Sequence, residues 1–594
     1  MEIKNRLDAL RALMAENGID AAIIPQTDPH QSEYISSHWQ VRRYFTGFTG
    51  SAGDLVVTAD KALLWTDSRY FLQAAAQLDG TGIVLMKDGL PETPSIAAWL
   101  SDNLDADRTV GIDGMVFSYS VVEDLINALA SKDILVNTEF NPAAAWTDRP
   151  ALPQNKILIH DIKYAGRAAH DKIADILADA HKAHNADAVF LSALDEIAWA
   201  LNIRARDVNC NPVATSFLYL SDKGSTLFID PAKLTPETES YLKAEGVATA
   251  PYDGVTAFIS RLSRDTAVLV QPQRNAAGLI RLLGHRAVFG TPAAAMLKAC
   301  KNDVQIAGVR EAMKRDGAAL VRAFIRIEKQ FGEGTLTELE VCRILHEERA
   351  KDPLFFDESF ETIAGFGPHG AIVHYEPDEA SNAAVNSPNL LLVDSGAQYL
   401  DGTTDITRTV CTGTPTAAQK TDFTLVMKGH IALSSQAFPY GTTGHQLDAL
   451  ARQFLWQRGL SYLHGTGHGV GHFLNVHEGP QSIRLNHVPT PLTPGMITSN
   501  EPGLYRENIH GIRCENLVLT VEAPDLSSDE FGRFLRFETL TLFPFERDLF
   551  DTAIMSAAEI EWLNAYHAHV RESLMPLMEN DEQRQWLSDH TLPL

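Results

Sequence analysis

One stretch rich in glycine and histidine, residues 462–480, constrains the possible folds of this chain more than any other segment. It reads YLHGTGHGVGHFLNVHEGP and sets four histidines among five glycines: His464, His468, His472 and His477. Glycine permits backbone conformations that a Cβ forbids and lets the backbone approach a bound group closely. Neutral imidazole is a common metal ligand and carries protons near neutral pH. The stretch therefore fits either a binding site or a glycine-rich loop with solvated histidines.

Length and hydropathy indicate a globular protein of several domains. A chain of 594 residues is too long for one hydrophobic core, and about two to four domains are expected. Hydrophobic residues make up 45% and charged residues 21%, and no run of eighteen apolar residues exists to cross a bilayer. Residues 1–20 have helical periodicity with charges throughout and lack the apolar core of a secretory signal. We therefore expect a cytoplasmic protein.

The charge balance disfavours one broad class of partner. Lysine and arginine number 50 against 76 aspartates and glutamates, a net charge of −26, so nucleic acid or an anionic membrane is not expected as the main partner. Five cysteines are widely scattered, odd in number and without a CxxC pair. They predict neither a disulfide framework nor a cysteine zinc site, and we expect reduced thiols, mostly in the core.

The first half of the chain reads as two related α/β domains, which we assign to residues 1–150 and 151–300. The first has a helix to about residue 17, then strands at 20–25, 54–58 and 62–66 and a helix at 69–77. The second has a helix at 170–184, then strands at 187–191 and near 217–220 and 226–229. A helix followed by Asp-Ala and apolar residues occurs at comparable offsets in both. This pattern indicates a divergent duplication.

A third domain is assigned to residues 301–545. It opens with amphipathic helices at 304–331 and 337–350, and strands and turns are predicted to dominate from there to Phe545. After it, Ser556-Ala-Ala-Glu559 fits a capping box ahead of an apolar helical pattern. Residues 546–594 are therefore predicted as a helical extension, packed on the third domain or across a subunit interface.

The clearest hairpin signal in this domain, at residues 389–410, holds two aspartates. An apolar strand ends at Asp394, Asp401-Gly402 is a strong turn signal, and the returning strand contains Asp405. With Asp401 and Gly402 as the two turn residues, Asp394 and Asp405 share one face of the sheet several residues apart. A bulge at Gly396 could close the gap between them.

Two glutamates lie at comparable places farther along the chain. Glu501 ends a strand where a Pro-Gly turn begins, and a strand predicted over residues 511–520 puts Arg513 beside Glu515 on one face. With a histidine, these aspartates and glutamates are the hard-oxygen and imidazole set that suits divalent Mn, Co, Fe or Zn. Four crowded carboxylates would repel one another and take up protons unless cations compensated them, and two divalent ions would do so.

Eight distinctive motifs are spread over nearly the whole chain: YFTGFTGSAG, LLWTDSRYFLQAA, LDEIAWALNIR, GAIVHYEP, LLLVDSGAQYLDGTTDITRTV, HGTGHGVGHFLNVHEGP, SNEPGLY and GIRCENL. Together they resemble the aminopeptidase P family of pita-bread metallopeptidases, in its long, three-domain, cytosolic-type form. The first two are similar to that family's first domain, the third to its second domain and the rest to its catalytic domain. The resemblance implies an α/β and α+β fold class: two related N-terminal α/β domains, then a C-terminal pita-bread catalytic domain.

The resemblance also implies a dinuclear metal centre with five ligands: Asp394, Asp405, His468, Glu501 and Glu515. Asp405 and Glu515 would bridge the two divalent ions, Asp394 would bind one, and His468 with Glu501 the other. Manganese is expected, with zinc or cobalt as alternatives. A water shared by two cations loses a proton readily, and the resulting hydroxide would attack the scissile carbonyl. Glu501 is the candidate shuttle of a proton to the leaving nitrogen.

By the same resemblance, other side chains would bind substrate. His374 and His477 would hydrogen-bond the peptide and the developing oxyanion, and His464 would line a proline pocket. Arg513 would orient a ligand carboxylate. His472 receives no role and is expected to be a loop histidine.

The predicted activity is that of an Xaa-Pro aminopeptidase, which removes the N-terminal residue from peptides with proline in the second position. A homodimer is implied by the resemblance. One alternative is a prolidase, which cleaves Xaa-Pro dipeptides on the same catalytic fold, and another is a pita-bread module that lost its metals and serves for binding. Two N-terminal α/β domains favour the aminopeptidase, and the presence of all five ligand residues disfavours a metal-free module.

Overall fold

The computed structural model describes residues 2–594 and divides the chain into two compact units. The first consists of the chain up to Ile162 together with Arg167–Ala294, and the second of Lys163–Gly166 and Ala295–Leu594. Within residues 2–594, no helix combines the length and the apolar character that a membrane span requires.

The first unit contains two six-stranded sheets with the same strand order. From edge to edge, the first comprises Val84–Lys87, Ala62–Thr66, Asp54–Thr58, Ala21–Ile24, Thr109–Gly111 and Leu135–Asn137. The second comprises Val247–Ala250, Ser225–Ile229, Ser216–Ser221, Ala188–Leu191, Val268–Val270 and Ala287–Phe289. In both, the fourth strand runs antiparallel to the third and parallel to the fifth. The shared topology confirms the predicted pair of related α/β folds.

Alternating side chains of the central strands divide each sheet into two apolar faces. In the first sheet, Ala22 and Ile24 enter one buried cluster, whereas Ala21 and Ile23 enter another. Helices supply the other side of these clusters. The principal α-helices of the unit are Ile3–Glu16, Val41–Thr46, Phe71–Gln77, Ile96–Asn103, Tyr119–Ala130, Ala169–His184, Leu194–Leu201, Pro236–Ala244, Val255–Arg261 and Ala277–Leu283.

After the short helix Ala294–Ala299, two capped helices follow in the second unit, at Asp303–Glu333 and Glu338–Arg349. The first begins at a reciprocal capping box between Asn302 and Gln305, and the second begins where the Thr337 side chain accepts a backbone N–H. Both helices confirm the prediction from the apolar periodicity.

The sheets of the second unit are short and mostly antiparallel. A six-stranded sheet has the order Ala437–Pro439, Phe534–Thr539, Asn516–Glu522, Ile497–Asn500, Gly467–Gly469 and Glu478–Ile483. Two three-stranded sheets have the orders Ile363–Phe366, Leu390–Ser395, Ile406–Cys411 and Phe355–Glu358, Ala397–Tyr399, Gly402–Thr403. A two-stranded sheet joins Gly503–Arg506 to His510–Arg513.

Strands and turns dominate as far as Phe545, as predicted, except at residues 417–456, where no helix is predicted. This part of the chain forms two helices, Ala417–Ser434 and Gly444–Trp456. The first is buried on several sides, so its apolar residues do not fall on a single stripe. Its core residues include Phe423, Leu425, Val426, Met427 and Ile431.

The hairpin that carries the two aspartates turns one position earlier than predicted. Tyr399 pairs with Gly402, so the two turn residues are Leu400 and Asp401. Arg315, on the long first helix of the unit, donates a hydrogen bond to the Asp401 carboxylate over 2.5 Å. That ion pair favours the observed turn. Turn preferences of the local sequence do not predict it, because its partners are far apart in the chain.

Asp394 and Asp405 nevertheless lie on one face of the strand pair, in agreement with the prediction. Asp394 lies opposite Thr407, and Asp405 precedes Thr407 by two residues. The pairing offset is the same on both sides of Gly396, so the predicted bulge is absent there. A Cβ at Gly396 would lie 2.0 Å from the Thr404 carbonyl oxygen. Glycine is needed at this position because the backbone of Thr404 approaches it too closely for a side chain.

The single strand predicted over residues 511–520 is also wrong. His510–Arg513 belongs to the two-stranded sheet and Asn516–Glu522 to the six-stranded one. Between them, the backbone N–H of Glu515 donates to the Thr407 carbonyl group over 3.1 Å. The chain thus changes partner strand at Glu515, and this change turns its side chain toward the aspartates.

The C-terminal extension is helical and packs on the second unit's own core. Ser556 and Glu559 form the predicted capping box of helix Ala557–Leu574, and helix Asp581–His590 follows. Leu563, Val570, Leu574 and Leu587 belong to the buried cluster that also holds Phe324 and Phe543. The extension therefore packs on the core of the part of the chain that precedes it, which is the first of the two arrangements predicted for it.

Truncation of a core leucine of this extension should destabilise the protein. Leu563 is 0% exposed, so Leu563→Ala should lower the free energy of unfolding by about 2–5 kcal/mol through lost burial and a residual cavity. Leu577 is 39% exposed, and Leu577→Ala is the matched control with an expected effect of about 0.5 kcal/mol or less. Urea unfolding followed by intrinsic fluorescence measures both, and equal midpoints would contradict the described packing.

Candidate metal centre

Five side chains that can bind metal converge in the second unit, each beside the end of a short strand: Asp394, Asp405, His468, Glu501 and Glu515. Ligand atoms of Asp405, His468 and Glu515 all lie within 4.8 Å of one another. The His468 Nε2 atom is 3.4 Å from Asp405 Oδ2 and 3.6 Å from Glu501 Oε1. Asp394 lies on the same strand face as Asp405.

Burial and crowding raise the pKa values of three of these carboxyl groups, those of Asp394, Glu501 and Glu515. Burial is the largest cause for Glu515, whose pKa lies well above its usual value, and the charges of Asp405, Asp394 and Glu501 add to it. Burial also raises the pKa of Asp394, and it raises that of Glu501 to about 7. Burial alone would lower the pKa of His468, but its hydrogen bond with Asp405 and the charge of Glu501 raise it to about 9. The protein alone therefore does not stabilise four ionised carboxylates at neutral pH.

Asp394 and Glu515 each have one oxygen held by the protein and one left bare. Arg513 donates to Asp394 Oδ2 from Nη2 over 2.5 Å and from Nε over 3.1 Å, and Thr407 Oγ1 donates to Glu515 Oε2 over 2.8 Å. The other oxygens, Asp394 Oδ1 and Glu515 Oε1, are buried without a hydrogen-bond partner in residues 2–594. Bare buried carboxylate oxygens beside an imidazole fit divalent cations that prefer hard oxygen and nitrogen donors.

Tyr505 connects Arg513 to His464 and was not singled out from the sequence. Arg513 Nη1 donates to the Tyr505 hydroxyl over 2.8 Å, and that hydroxyl lies 2.8 Å from His464 Nε2. His464 Nδ1 lies 2.7 Å from the Gly465 carbonyl, so Nδ1 carries the proton and Nε2 accepts from the tyrosine. Burial raises the pKa of Tyr505 to about 12, which keeps the hydroxyl a donor. The signal for it is its place in the SNEPGLY motif, four residues after Glu501.

The other predicted histidines have different surroundings. The His477 ring lies edge-on to His468 with centroids 4.3 Å apart. His374 lies in a half-buried turn just after the 3-10 helix Gly367–Ala371, which packs against His510–Arg513. His472 is 2% exposed, so it is a buried histidine rather than the solvated one that a plain loop would give.

A buried ion-pair cluster anchors the far end of the glycine-rich stretch. Lys298 and Lys301 each donate to the Glu478 carboxylate over 2.5 Å, and Lys301 also donates to the Val470 carbonyl over 2.6 Å. Glu478 follows His477 directly, so this cluster fixes the backbone beside that imidazole. No local pattern reveals it, because Glu478 is 180 residues from Lys298 and 177 from Lys301.

A second buried network holds the near end of the stretch. Arg452 donates to the carbonyl groups of Tyr462 and His464 over 2.6 and 2.8 Å, and Thr466 Oγ1 donates to Asp448 over 2.6 Å. Asp448 also accepts from Arg452 over 2.6 Å, one helical turn away. This Asp–Arg spacing of four residues on a helix is the sequence signal that could have pointed to the network.

Family models match consecutive parts of the chain. They are Creatinase/Prolidase N-terminal domain at residues 6–146 and again at 148–305, Metallopeptidase family M24 at 307–522, and C-terminal region of peptidase M24 at 533–594. Aminopeptidase P2 of Arabidopsis thaliana is 41% identical over 631 residues, covering 100% of this chain and 89% of that protein. This chain belongs to the aminopeptidase P family of M24 metallopeptidases.

Further proteins are similar to this aminopeptidase P family member over most or all of their own length. The probable Xaa-Pro aminopeptidase P of Laccaria bicolor is 41% identical, covering 99% of this chain and 93% of that protein. The X-prolyl aminopeptidase of Caenorhabditis elegans, described as a cytosolic enzyme with a di-nuclear active site, has a TM-score of 0.95 and 34% identity over 100% of both chains. Dipeptidase PepE of Mycobacterium ulcerans covers 64% of this chain and 97% of its own at a TM-score of 0.50 and 24% identity, which shows the fold alone.

Binding of divalent cations to metal-stripped protein should release protons. Near pH 7 the raised pKa of His468, about 9, and of Glu501, about 7, mean that metal-free sites hold protons that ligation must displace. We expect release of about one proton or more per chain, measured by calorimetry in buffers of different ionisation enthalpy. Glu501→Gln should release fewer. Heats that do not depend on the buffer would contradict the crowded, partly protonated site.

Proposed function

We propose that this chain is an Xaa-Pro aminopeptidase, which hydrolyses the N-terminal residue from peptides with proline in the second position. The observation that carries the proposal is the convergence of the five ligand residues, at Asp405, His468 and their neighbours, in a chain similar over its whole length to proteins of that name. A binding module without metals would not require four crowded carboxylates, two of which have a buried oxygen without a hydrogen-bond partner.

The proposed cofactor is a pair of divalent ions held by Asp394, Asp405, His468, Glu501 and Glu515. The di-nuclear site named for the Caenorhabditis elegans enzyme supports the number of ions. Asp405 and Glu515 would be shared between the ions, Asp394 would serve one, and His468 with Glu501 the other. Manganese is proposed because the donor set is mainly carboxylate oxygen, with zinc or cobalt as alternatives. When bound, such ions lower the pKa of water and polarise a carbonyl group.

Glu501 is the carboxylate placed to move a proton between the centre and the substrate. Its side chain is 18% exposed, against 5% for Asp405 and 9% for Asp394, so it is the one that reaches the open side of the site. Arg513, bonded to Asp394, keeps that ligand oriented. Glu501 would deliver the proton to the leaving nitrogen as the peptide bond breaks.

Three histidines would bind the peptide around this centre. His477, which packs against His468, and His374 would donate hydrogen bonds to the peptide and to the oxyanion that develops on the scissile carbonyl. His464, oriented by Tyr505, would line the pocket for proline. A proline in the second position has a tertiary amide and a fixed kink, so a dedicated pocket is needed to accept it.

We also propose a cytoplasmic homodimer with domain limits near residues 150, 300 and 545. The description of the Caenorhabditis elegans protein as cytosolic supports the location, and family resemblance supports the dimer. Sedimentation at several protein concentrations would test the dimer, and a constant monomer mass would refute it.

Peptide specificity separates the proposed activity from its alternatives. With Mn²⁺ restored to stripped protein, release of the N-terminal residue is expected from Xaa-Pro-Yaa but not from Xaa-Ala-Yaa, measured by amino-acid analysis. Faster cleavage of Xaa-Pro dipeptides than of the tripeptide would indicate a prolidase instead. No cleavage of any peptide with Mn²⁺, Zn²⁺ or Co²⁺ would favour a binding module.

Substitutions at the centre should abolish turnover with the fold intact. Glu501→Gln and His468→Ala are expected to lower kcat/KM by about a thousandfold or more, because each removes a ligand and Glu501 also moves the proton. His487→Ala, an exposed histidine, is the matched control and should act as wild type. Circular dichroism checks the fold, and wild-type rates in either site variant would refute the proposed roles.

A further inference from the structure

Glu338 is a buried carboxylate that the proposed reaction does not use. It is 0% exposed and is the first residue of helix Glu338–Arg349, in the second unit. Its two oxygens accept four hydrogen bonds, from Phe366 N–H at 2.7 Å, His369 Nδ1 at 2.9 Å, Tyr375 O–H at 2.8 Å and Ala383 N–H at 2.8 Å. All four donors lie within residues 366–383, far from Glu338 in sequence.

These bonds are not needed to start the helix. Thr337 caps it by accepting the Glu340 N–H over 3.3 Å. A carboxylate buried this completely is costly unless its lone pairs are satisfied. Its partner His369 is half-buried, and the hydrogen bond with Glu338 raises the pKa of that imidazole. Glu338 therefore serves the segment that surrounds it rather than its own helix.

That segment contains His374 and is fitted against the metal centre. Tyr375, the residue after His374, packs with Ile363 and Leu392 in a cluster that Tyr505 also contacts. Ile363 lies opposite Asp394 in the neighbouring strand. Glu338 accepts a hydrogen bond from the Tyr375 hydroxyl, so the carboxylate fixes the residue next to His374.

The other end of the segment is equally restricted. Gly370 lies so close to Gly511 that a Cβ on Gly511 would be 1.6 Å from the Gly370 carbonyl oxygen. Gly511 belongs to the strand His510–Arg513, which presents Arg513 to Asp394. This contact holds Gly370 against the strand, so loss of the bonds to Glu338 is expected to move the part of the segment around Tyr375 and His374 and not the strand itself.

We infer that Glu338 is a positioning residue for the peptidase reaction: it does not touch the substrate, but its four hydrogen bonds hold His374 where the peptide binds. The inference rests on the proposed function and on the role proposed there for His374. It predicts that loss of Glu338 lowers activity through His374 and leaves the metal ligands in place.

Glu338→Gln tests this with almost no change in shape. An amide offers one acceptor oxygen, and its NH2 group would face the Ala383 N–H or the Phe366 N–H, which cannot accept. One buried donor is left unsatisfied and the segment must shift. Glu340→Gln is the matched control, because Glu340 lies on the same helix. Its carboxylate accepts hydrogen bonds from the side chains of Gln330 and Arg343, neither of which belongs to the segment that contains His374.

The decisive experiment is a double-mutant cycle between Glu338→Gln and His374→Ala. We expect Glu338→Gln to lower kcat/KM for Xaa-Pro-Yaa by about tenfold to a hundredfold, at unchanged metal content, and to have no further effect in the His374→Ala background. The inference would be overturned if the two substitutions lowered kcat/KM independently, so that their fold-changes multiplied in the double variant. Loss of bound metal from the Glu338→Gln variant would also overturn it. Should Glu338→Gln fail to fold, Tyr375→Phe replaces it in the same cycle. A smaller loss of kcat/KM is then expected, again with no further loss in the His374→Ala background.

The same cycle is run on the affinity for an Xaa-Pro-Yaa peptide, measured by calorimetry with each protein. A wild type that binds the peptide without cleaving it refutes the proposed function, whereas coupling between the two substitutions in affinity still supports the positioning role. A wild type that cleaves with uncoupled substitutions refutes only the positioning role. Absence of both binding and cleavage overturns both.

Discussion

The repulsion among four crowded carboxylates, three of them buried, is the interaction on which the arrangement of the candidate site depends. Burial and neighbouring charges raise the pKa of Glu515 well above its usual value, so the protein alone does not make this arrangement stable in its ionised form. Arg513 compensates Asp394 directly. The remaining charge calls for cations, which explains why oxygens of Asp394 and Glu515 are left without protein donors.

Holding such groups together requires a rigid frame, and the frame is made of long-range polar contacts. Glu478 and its two lysines anchor one end of the glycine-rich stretch, and the Asp448–Arg452 pair anchors the other. Between these anchors the glycines permit close packing: a Cβ at Gly467 would lie 2.0 Å from the Ser499 carbonyl oxygen. The stretch is therefore a tightly held segment rather than a loose loop.

Local sequence predicts those parts of the fold that local interactions decide. The capped helices Asp303–Glu333 and Ala557–Leu574 follow from capping residues and an apolar stripe. Helix Ala417–Ser434 does not, because it is buried on several sides and its Thr416 capping signal is easily passed over. The turn at Leu400 and Asp401 depends on a distant arginine, and local statistics favour the Asp-Gly pair instead.

The candidate site shows the same division. Its candidate metal ligands are predictable as residue types at strand ends and through family resemblance, whereas their geometry depends on strand pairing. The change of partner strand at Glu515 and the role of Tyr505 follow from pairing and packing between distant segments. Glu338 is further hidden, because all four of its donors come from another part of the chain.

The central claim is that two divalent ions held by these five residues support one hydrolytic site. It is tested most directly by titrating metal-stripped protein with Mn²⁺ while following release of the N-terminal residue from Xaa-Pro-Yaa. The account predicts that activity is absent without metal and saturates at two ions per chain. Full activity of the stripped protein, or saturation at one ion per chain, would contradict it.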